Sequence, residues 1–141
     1  MSKFKAIETE FRNSFSLEKA LEECGVSFAK SVDVKNPNLV MFGYQGDARP
    51  ERASYLIDRK FVNKHWGTGC SNDVGFAWNG KTFDAIVSDY DQGRSGVTKA
   101  MNQIKQRYAR AEIMRQAKTK GYFVSEKTQA DGTIRLQMVR R

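Results

Sequence analysis

Histidine and cysteine are the residues of this chain that could open a covalent reaction, and they are few. His65 and Cys70 fall in one stretch, His65-Trp66-Gly67-Thr68-Gly69-Cys70-Ser71-Asn72-Asp73. A histidine beside a cysteine can take up the thiol proton and leave a thiolate nucleophile. That chemistry also needs a third group to orient the base, and none is assignable. A plain thiol beside a loop histidine is the favoured reading. Cys24, His65 and Cys70 together offer three metal donors. Zinc sites use four donors with closely paired spacing, so a metal site is not expected. Asp84, Asp89 and Asp91 could hold Mg²⁺ through one or two oxygens. Their spacing is not that of a calcium loop. Solvating a turn, and placing negative charge ahead of a helix N-terminus, is the simpler role. No motif for a defined reaction is present. The expectation is a protein that is not an enzyme and carries no cofactor.

Residues suited to anions are more numerous. Between Arg94 and Lys120 there are eight cations and one anion, Glu112. This segment carries +7 of a whole-chain excess of +8. Charge gathered on one element makes a field that recruits anions. Gly93-Arg94-Ser95-Gly96 precedes the segment. Its free backbone amides and its arginine could cradle a phosphate, although the Gly-Lys-Ser/Thr ending of a P-loop is missing. An ordinary Ser95 or Thr98 cap is the plainer alternative. In Gly43-Tyr44-Gln45-Gly46-Asp47-Ala48-Arg49, Tyr44 could stack on a base and Arg49 could meet a phosphate. A tight turn with one packed tyrosine is the plainer account. Trp66, set among glycines, is read as a surface aromatic, and Trp78 as packed within a hairpin.

The scaffold that must place these residues is expected to be one domain, residues 1–141. Its 141 residues can bury a core without staples. Hydrophobic residues make up 40% and charged residues 28%, the balance of a globular rather than a disordered chain. Two cysteines give no disulfide framework. The acidic start lacks the apolar stretch of a signal peptide, and no apolar run has the length of a membrane span. A cytoplasmic protein with no membrane association is expected.

Apolar alternation predicts a strand over Lys3 to Phe11. A helix capped at Ser16 and ended by Gly25 follows, with Leu17, Ala20, Leu21 and Cys24 on one stripe. Val26 to Val34 reads as a strand or extended segment, and Leu39 to Tyr44 as a strand. The stretch from Gly46 to Arg52 reads as a polar loop, Ala53 to Val62 as a strand, and His65 to Asp73 as a loop. A hairpin joins Val74-Trp78 to Thr82-Val87 through Asn79-Gly80, read as a type I′ turn. Val97, Ala100, Met101, Ile104, Tyr108 and Ala111 form the stripe of a long helix that ends at Gly121. Lys99, Arg107 and Arg110 sit on its flank. A last hairpin pairs Tyr122-Val124 with Ile134-Met138 through Asp131-Gly132. The predicted fold is α+β: a mainly antiparallel sheet of hairpins with two helices, the long basic helix packed on the sheet.

Ser2-Lys3-Phe4-Lys5-Ala6-Ile7-Glu8-Thr9 with Leu17-Glu18-Lys19-Ala20-Leu21 resembles the start of the uncharacterised Ycf-thirty-five-like family. That family is found in plastids, cyanobacteria, other bacteria and phages. Asn72 to Phe76 with Phe83 to Asp91 looks like its central hairpin. Gln106-Arg107-Tyr108-Ala109, Gln116-Ala117-Lys118, Gly121-Tyr122 and Asp131 to Leu136 look like its C-terminal helix and hairpin. The resemblance implies a small accessory protein, encoded in many cases near ATPases of the AAA+ type. It carries over no reaction and no catalytic residue. The middle of the chain looks closer to phage-type and bacterial members.

The reading favoured by the sequence is a non-enzymatic basic binding protein. Arg94, Ser95, Lys99, Arg107 and Arg110, with Tyr44, Arg49 and Trp66, would engage a phosphorylated ligand or nucleic acid. The alternative is an adaptor or accessory factor for a protein partner such as an AAA+ ATPase or a phage–host assembly. A cysteine-dependent enzyme is the third and least favoured reading.

Overall fold

Asn13 begins the first helix because its side-chain oxygen accepts from the Ser16 amide at 2.9 Å. The expected cap at Ser16 lies three residues too late, since Ser16 already sits inside α1 (Ser14–Glu23). Ahead of it runs β1 (Phe4–Ile7), shorter than the strand predicted to Phe11. The computed structural model describes residues 3–67 and 72–140. After α1 come β2 (Ala29–Lys30), β3 (Leu39–Phe42), β4 (Ala48–Ala53) and β5 (Tyr55–Ile57). Then follow α2 (Arg59–Trp66), β6 (Val74–Trp78), β7 (Phe83–Ser88), α3 (Asp89–Gln92), α4 (Ser95–Lys120), β8 (Tyr122–Thr128) and β9 (Ile134–Arg140).

The fold is α+β and mainly antiparallel, as the sequence implies, but with four helices among the described residues where two were expected. A five-stranded antiparallel sheet has the order β1-β7-β6-β5-β2. One face carries Tyr55, Ile57, Val74, Phe76, Ala85 and Val87, which pack against Leu17, Ala20 and Leu21 of α1 and Val97, Ala100 and Ile104 of α4. The other face carries Gly75 and Ile86, covered by Met41 and Ala53 of the β3–β4 hairpin. Side chains alternate across a strand, so one chain of apolar residues serves two cores. Gly75 permits the second contact: a Cβ there would lie 2.9 Å from Ala53 Cβ and 3.1 Å from Met41 Sδ.

Several expectations change. Residues 48–53 pair as β4 rather than forming a polar loop, and of the segment Val26 to Val34 only Ala29–Lys30 pairs. Ala53 to Val62 is not one strand. Asp58 ends the extended segment by accepting from the Lys60 and Phe61 amides, which starts α2, and Gly67 closes that helix at φ 67°. The Asn79-Gly80 connection is not type I′, because Asn79 keeps a negative φ. Its Oδ1 instead accepts from the Lys81 and Thr82 amides across a four-residue loop. The β8–β9 hairpin forms a separate two-stranded sheet beside α4.

Candidate functional site

α4 has 26 residues, so it is about 39 Å long. Its front half packs on the sheet, and its rear half carries the C-terminal hairpin. Arg94 occupies the N-cap position with no side-chain cap, while Ser95 is exposed as the first helical residue. Neither Ser95 nor Thr98 caps this helix. The Arg94 guanidinium lies 4.3 Å from the centre of the Tyr90 ring, a cation–π contact. Lys99 is exposed.

The flank further along is different. Arg110 makes two 2.8 Å hydrogen bonds to the Glu126 carboxylate of β8 and also meets Glu23 of α1 at 3.3 Å. Arg107 lies 3.6 Å from Glu23. Arg115 is paired with Glu112 at 3.0 Å. Glu126 holds Arg110 more firmly protonated, and Arg110 pulls the Glu126 carboxyl below its usual range. Arg107 and Arg110 are therefore neutralised by acids outside the helix, from α1 and from the hairpin that follows it, which corrects the expectation of a cohesive cationic flank. Lys105 lies on the other side of the helix, in an open groove of about 850 Å³ with Glu10, Arg12, Tyr108 and Ile113. Lys118 and Lys120 are exposed in the last turn, where cations suit the helix dipole.

The remaining predicted residues are not brought to α4. Tyr44 is exposed at the tip of the β3–β4 hairpin, on the other face of the sheet. Gly46 turns that tip at φ 80°, so the tight turn of the plainer account forms, but its tyrosine is exposed rather than packed. Arg49 is engaged by Asp47 at 3.2 Å and lies over the Phe4 ring at 5.5 Å, so it faces its own sheet rather than a ligand held by Tyr44. Trp66 is buried at the end of α2 and belongs to the core, because the chain from Asp58 is helical and turns it inward. That corrects its reading as a surface aromatic. Trp78 packs on Phe83 at 4.8 Å, as expected.

The covalent and metal candidates are equally dispersed. His65 lies on α2 and stacks on Phe61 at 4.3 Å. Cys70 lies outside the described residues. Burial pushes the Cys24 thiol above its usual range, only partly offset by Arg107, so it is disposed to stay protonated. Asp84 braces the Asn79 turn, and Asp89 accepts from the Lys3 amide. Among the described residues no group of three or more His, Cys, Asp or Glu is placed to hold a metal ion.

One polar cluster escaped the sequence reading. Asn72, Ser88 and Asp91 are buried together where the sheet meets α3. The Asn72 amide and side-chain nitrogen donate to Asp91 Oδ2 at 3.1 and 3.3 Å, and that nitrogen also donates to Ser88 Oγ at 2.9 Å. Asn72 Oδ1 accepts from the Tyr44 amide. Next to it, Asp73 accepts from the amides of Phe42 and Arg59, and burial raises its carboxyl above the usual range. These residues tie the β3–β4 hairpin and α2 to the sheet. Asp91 Oδ1 is buried with no hydrogen-bond partner. Asn72-Asp73 directly before an apolar strand was the available signal.

No solved structure matches the chain. A relative 29% identical over 123 residues, covering 86% of this chain and 84% of the other, is the uncharacterized protein ycf35 of Trieres chinensis. The family model described as "Protein of unknown function (DUF1257)" matches residues 20–137. With most of its length matched, including α4, β8 and the first half of β9, this chain belongs to the DUF1257 family.

Proposed function

We propose that the protein is a non-enzymatic binding module for an anionic partner, and that free surface lysines, rather than the arginine flank of α4, make the contact. One observation carries this reading: most of the acids among the described residues are engaged within the fold, whereas the lysines, Lys30 apart, are not paired with carboxylates. Glu18 binds Tyr55 and Lys30, Glu23 and Glu126 hold arginines, Asp58 caps α2, and Asp73 and Asp91 accept buried amides. Among the described residues, Lys30 is the one lysine whose ammonium lies within 4.0 Å of a carboxylate. A chain with an excess of +8 then presents that excess outward. Exposed cations of this kind bind phosphates through counterion release, with steep salt dependence.

Lys99 and the Arg94 turn remain members of this surface at the front of α4, and Lys118 and Lys120 at its rear. The test is titration of labelled duplex, single-stranded nucleic acid, inorganic polyphosphate and a nucleotide panel at several salt concentrations. Affinity for at least one polyanion that falls linearly on a log–log salt plot is the expected result. Absence of binding at low salt to every member of the panel refutes the reading.

A further inference from the structure

The C-terminal hairpin sorts its charges by face. Tyr122 to Thr128 pairs with Ile134 to Arg140 in strict antiparallel register. Glu126 and its partner Leu136 face α4: Glu126 binds Arg110, and Leu136 lines a cleft with Arg107 and Arg110. Successive residues of a strand point to opposite sides, so Lys127 and Arg135 lie on the outer face. They are direct cross-strand partners, and both are exposed. Gln137 follows on the same face and is also exposed. The remaining acid of the hairpin, Asp131, is held in the turn, where it accepts from the Thr133 amide and hydroxyl.

Like charges directly opposite one another on a ladder repel. Two facing cations, with both hairpin acids engaged elsewhere, form a surface that is relieved by an anion placed between them. From Arg115 to Arg141 the chain holds seven cations and two acids, and Lys118 and Lys120 bring two of these cations to the adjoining helix end.

We infer that the outer face of the β8–β9 ribbon docks on the phosphate backbone of a nucleic-acid duplex, with Lys127 and Arg135 as the central contacts. A two-stranded antiparallel ribbon has the cross-section that a duplex major groove admits. Seven paired residues span about 23 Å, enough to follow the backbone for several base pairs. Contacts to phosphate fix position and carry no base sequence, so the binding is sequence-independent. This inference rests on the anion-binding reading above and assigns its partner.

The experiment measures anisotropy of fluorescein-labelled 20-base-pair duplexes of DNA and of RNA, and of the matching single strands, between low and moderate salt. The full chain is compared with the Lys127→Gln/Arg135→Gln double variant. A second pair, Lys19→Gln/Lys81→Gln, removes the same charge from exposed positions on α1 and the β6–β7 turn. The ribbon variant is expected to lose about tenfold or more in duplex affinity at low salt. Its log–log salt slope is expected to fall by about 1.8, the value for two phosphate contacts. The control pair leaves the slope unchanged. Lys127→Glu gives a second readout: binding is lost while thermal stability rises, because a cross-strand repulsion becomes an attraction. Equal losses for both double variants, or retained binding by the ribbon variant, overturn the ribbon while leaving the anion-binding reading in place. Tighter binding to single strands than to duplex overturns the choice of partner. No binding by the unmodified chain overturns both.

Discussion

Gly96 lies where the start of α4 meets the end of α2, and replacing it with alanine tests how α4 is seated. A Cβ at Gly96 would lie 1.9 Å from the Trp66 carbonyl oxygen and 2.9 Å from its carbonyl carbon. Ordinary contact begins near 3.4 Å, so the end of α2 and the start of α4 must part by about 1.5 Å. The obstacle is backbone, which no rotamer change can move aside. Parting them loosens Trp66 and Val97, both in the main core. Overpacking of this kind costs about 1–3 kcal/mol, and here the close contact places it at the upper end. Alanine recovers up to about 1 kcal/mol of helix propensity. The net expected loss is about 2 kcal/mol, or about 6 °C in Tm for a chain of this size. Gly93→Ala is the internal control: its Cβ meets nothing within 4 Å and its φ is −82°, so it should be neutral or slightly stabilising. Urea and thermal unfolding of both variants decide the matter. Equal stability of Gly96→Ala and Gly93→Ala refutes the close α2–α4 contact.

Tyr108→Phe removes the hydroxyl that accepts from the Arg12 and Asn13 amides at 2.8 and 3.0 Å, and should cost about 1–3 kcal/mol in urea unfolding. Gly75→Val forces β4 away from the sheet, because Ala53 Cβ cannot yield as Met41 can, and should cost about 2 kcal/mol or more while leaving α1 and α4 packed. Arg110→Gln should speed amide hydrogen exchange across β8 and β9 and leave β5 to β7 unchanged, since the guanidinium joins the hairpin to α4. Acid should reproduce that loosening. Arg110 holds the Glu126 carboxyl below its ordinary value, so the pair stabilises the hairpin above about pH 4.3 and is lost as pH falls through the lowered value. Protection factors in β8 and β9, with the intrinsic pH dependence of amide exchange removed, that stay flat from pH 5 to the acid end would contradict this.

The stripe Val97, Ala100, Ile104, Tyr108 was legible because all four lie on one face that packs on the sheet. Gly121 was legible because a left-handed φ of 77° ends the helix there. The failures share a physical cause. Residues 59–66 carry few apolar side chains in a short helix, so the strand pattern of Tyr55 and Ile57 was carried past Asp58. The decisive signals were the Asp58 cap and the Gly67 C-cap, which are single residues rather than a period. β4 contains Pro50 and three charged residues, the composition of a loop. It becomes a strand because the hairpin needs only one buried face, at Ala53. Trp66 was misplaced as a consequence of missing α2.

The charge on α4 shows why a segment's net charge does not settle what its surface presents. The +7 between Arg94 and Lys120 is summed along the chain, whereas potential is summed through space. Glu23 reaches Arg107 and Arg110 from α1, and Glu126 reaches Arg110 from the hairpin. Glu23 is far away in sequence, and Glu126 lies just past the helix end, so a window confined to the helix includes neither. They remove charge from the middle of α4 and leave its two ends, Arg94 with Lys99 and Lys118 with Lys120. The same Glu126 that neutralises Arg110 turns one side of the hairpin inward, and alternation then turns Lys127 and Arg135 outward. The Arg110–Glu126 pair thus contributes both to neutralising the helix flank and to turning the ribbon's cations outward. Unpaired cations therefore remain at both ends of α4 and on the outer face of the ribbon, rather than along the middle of the helix.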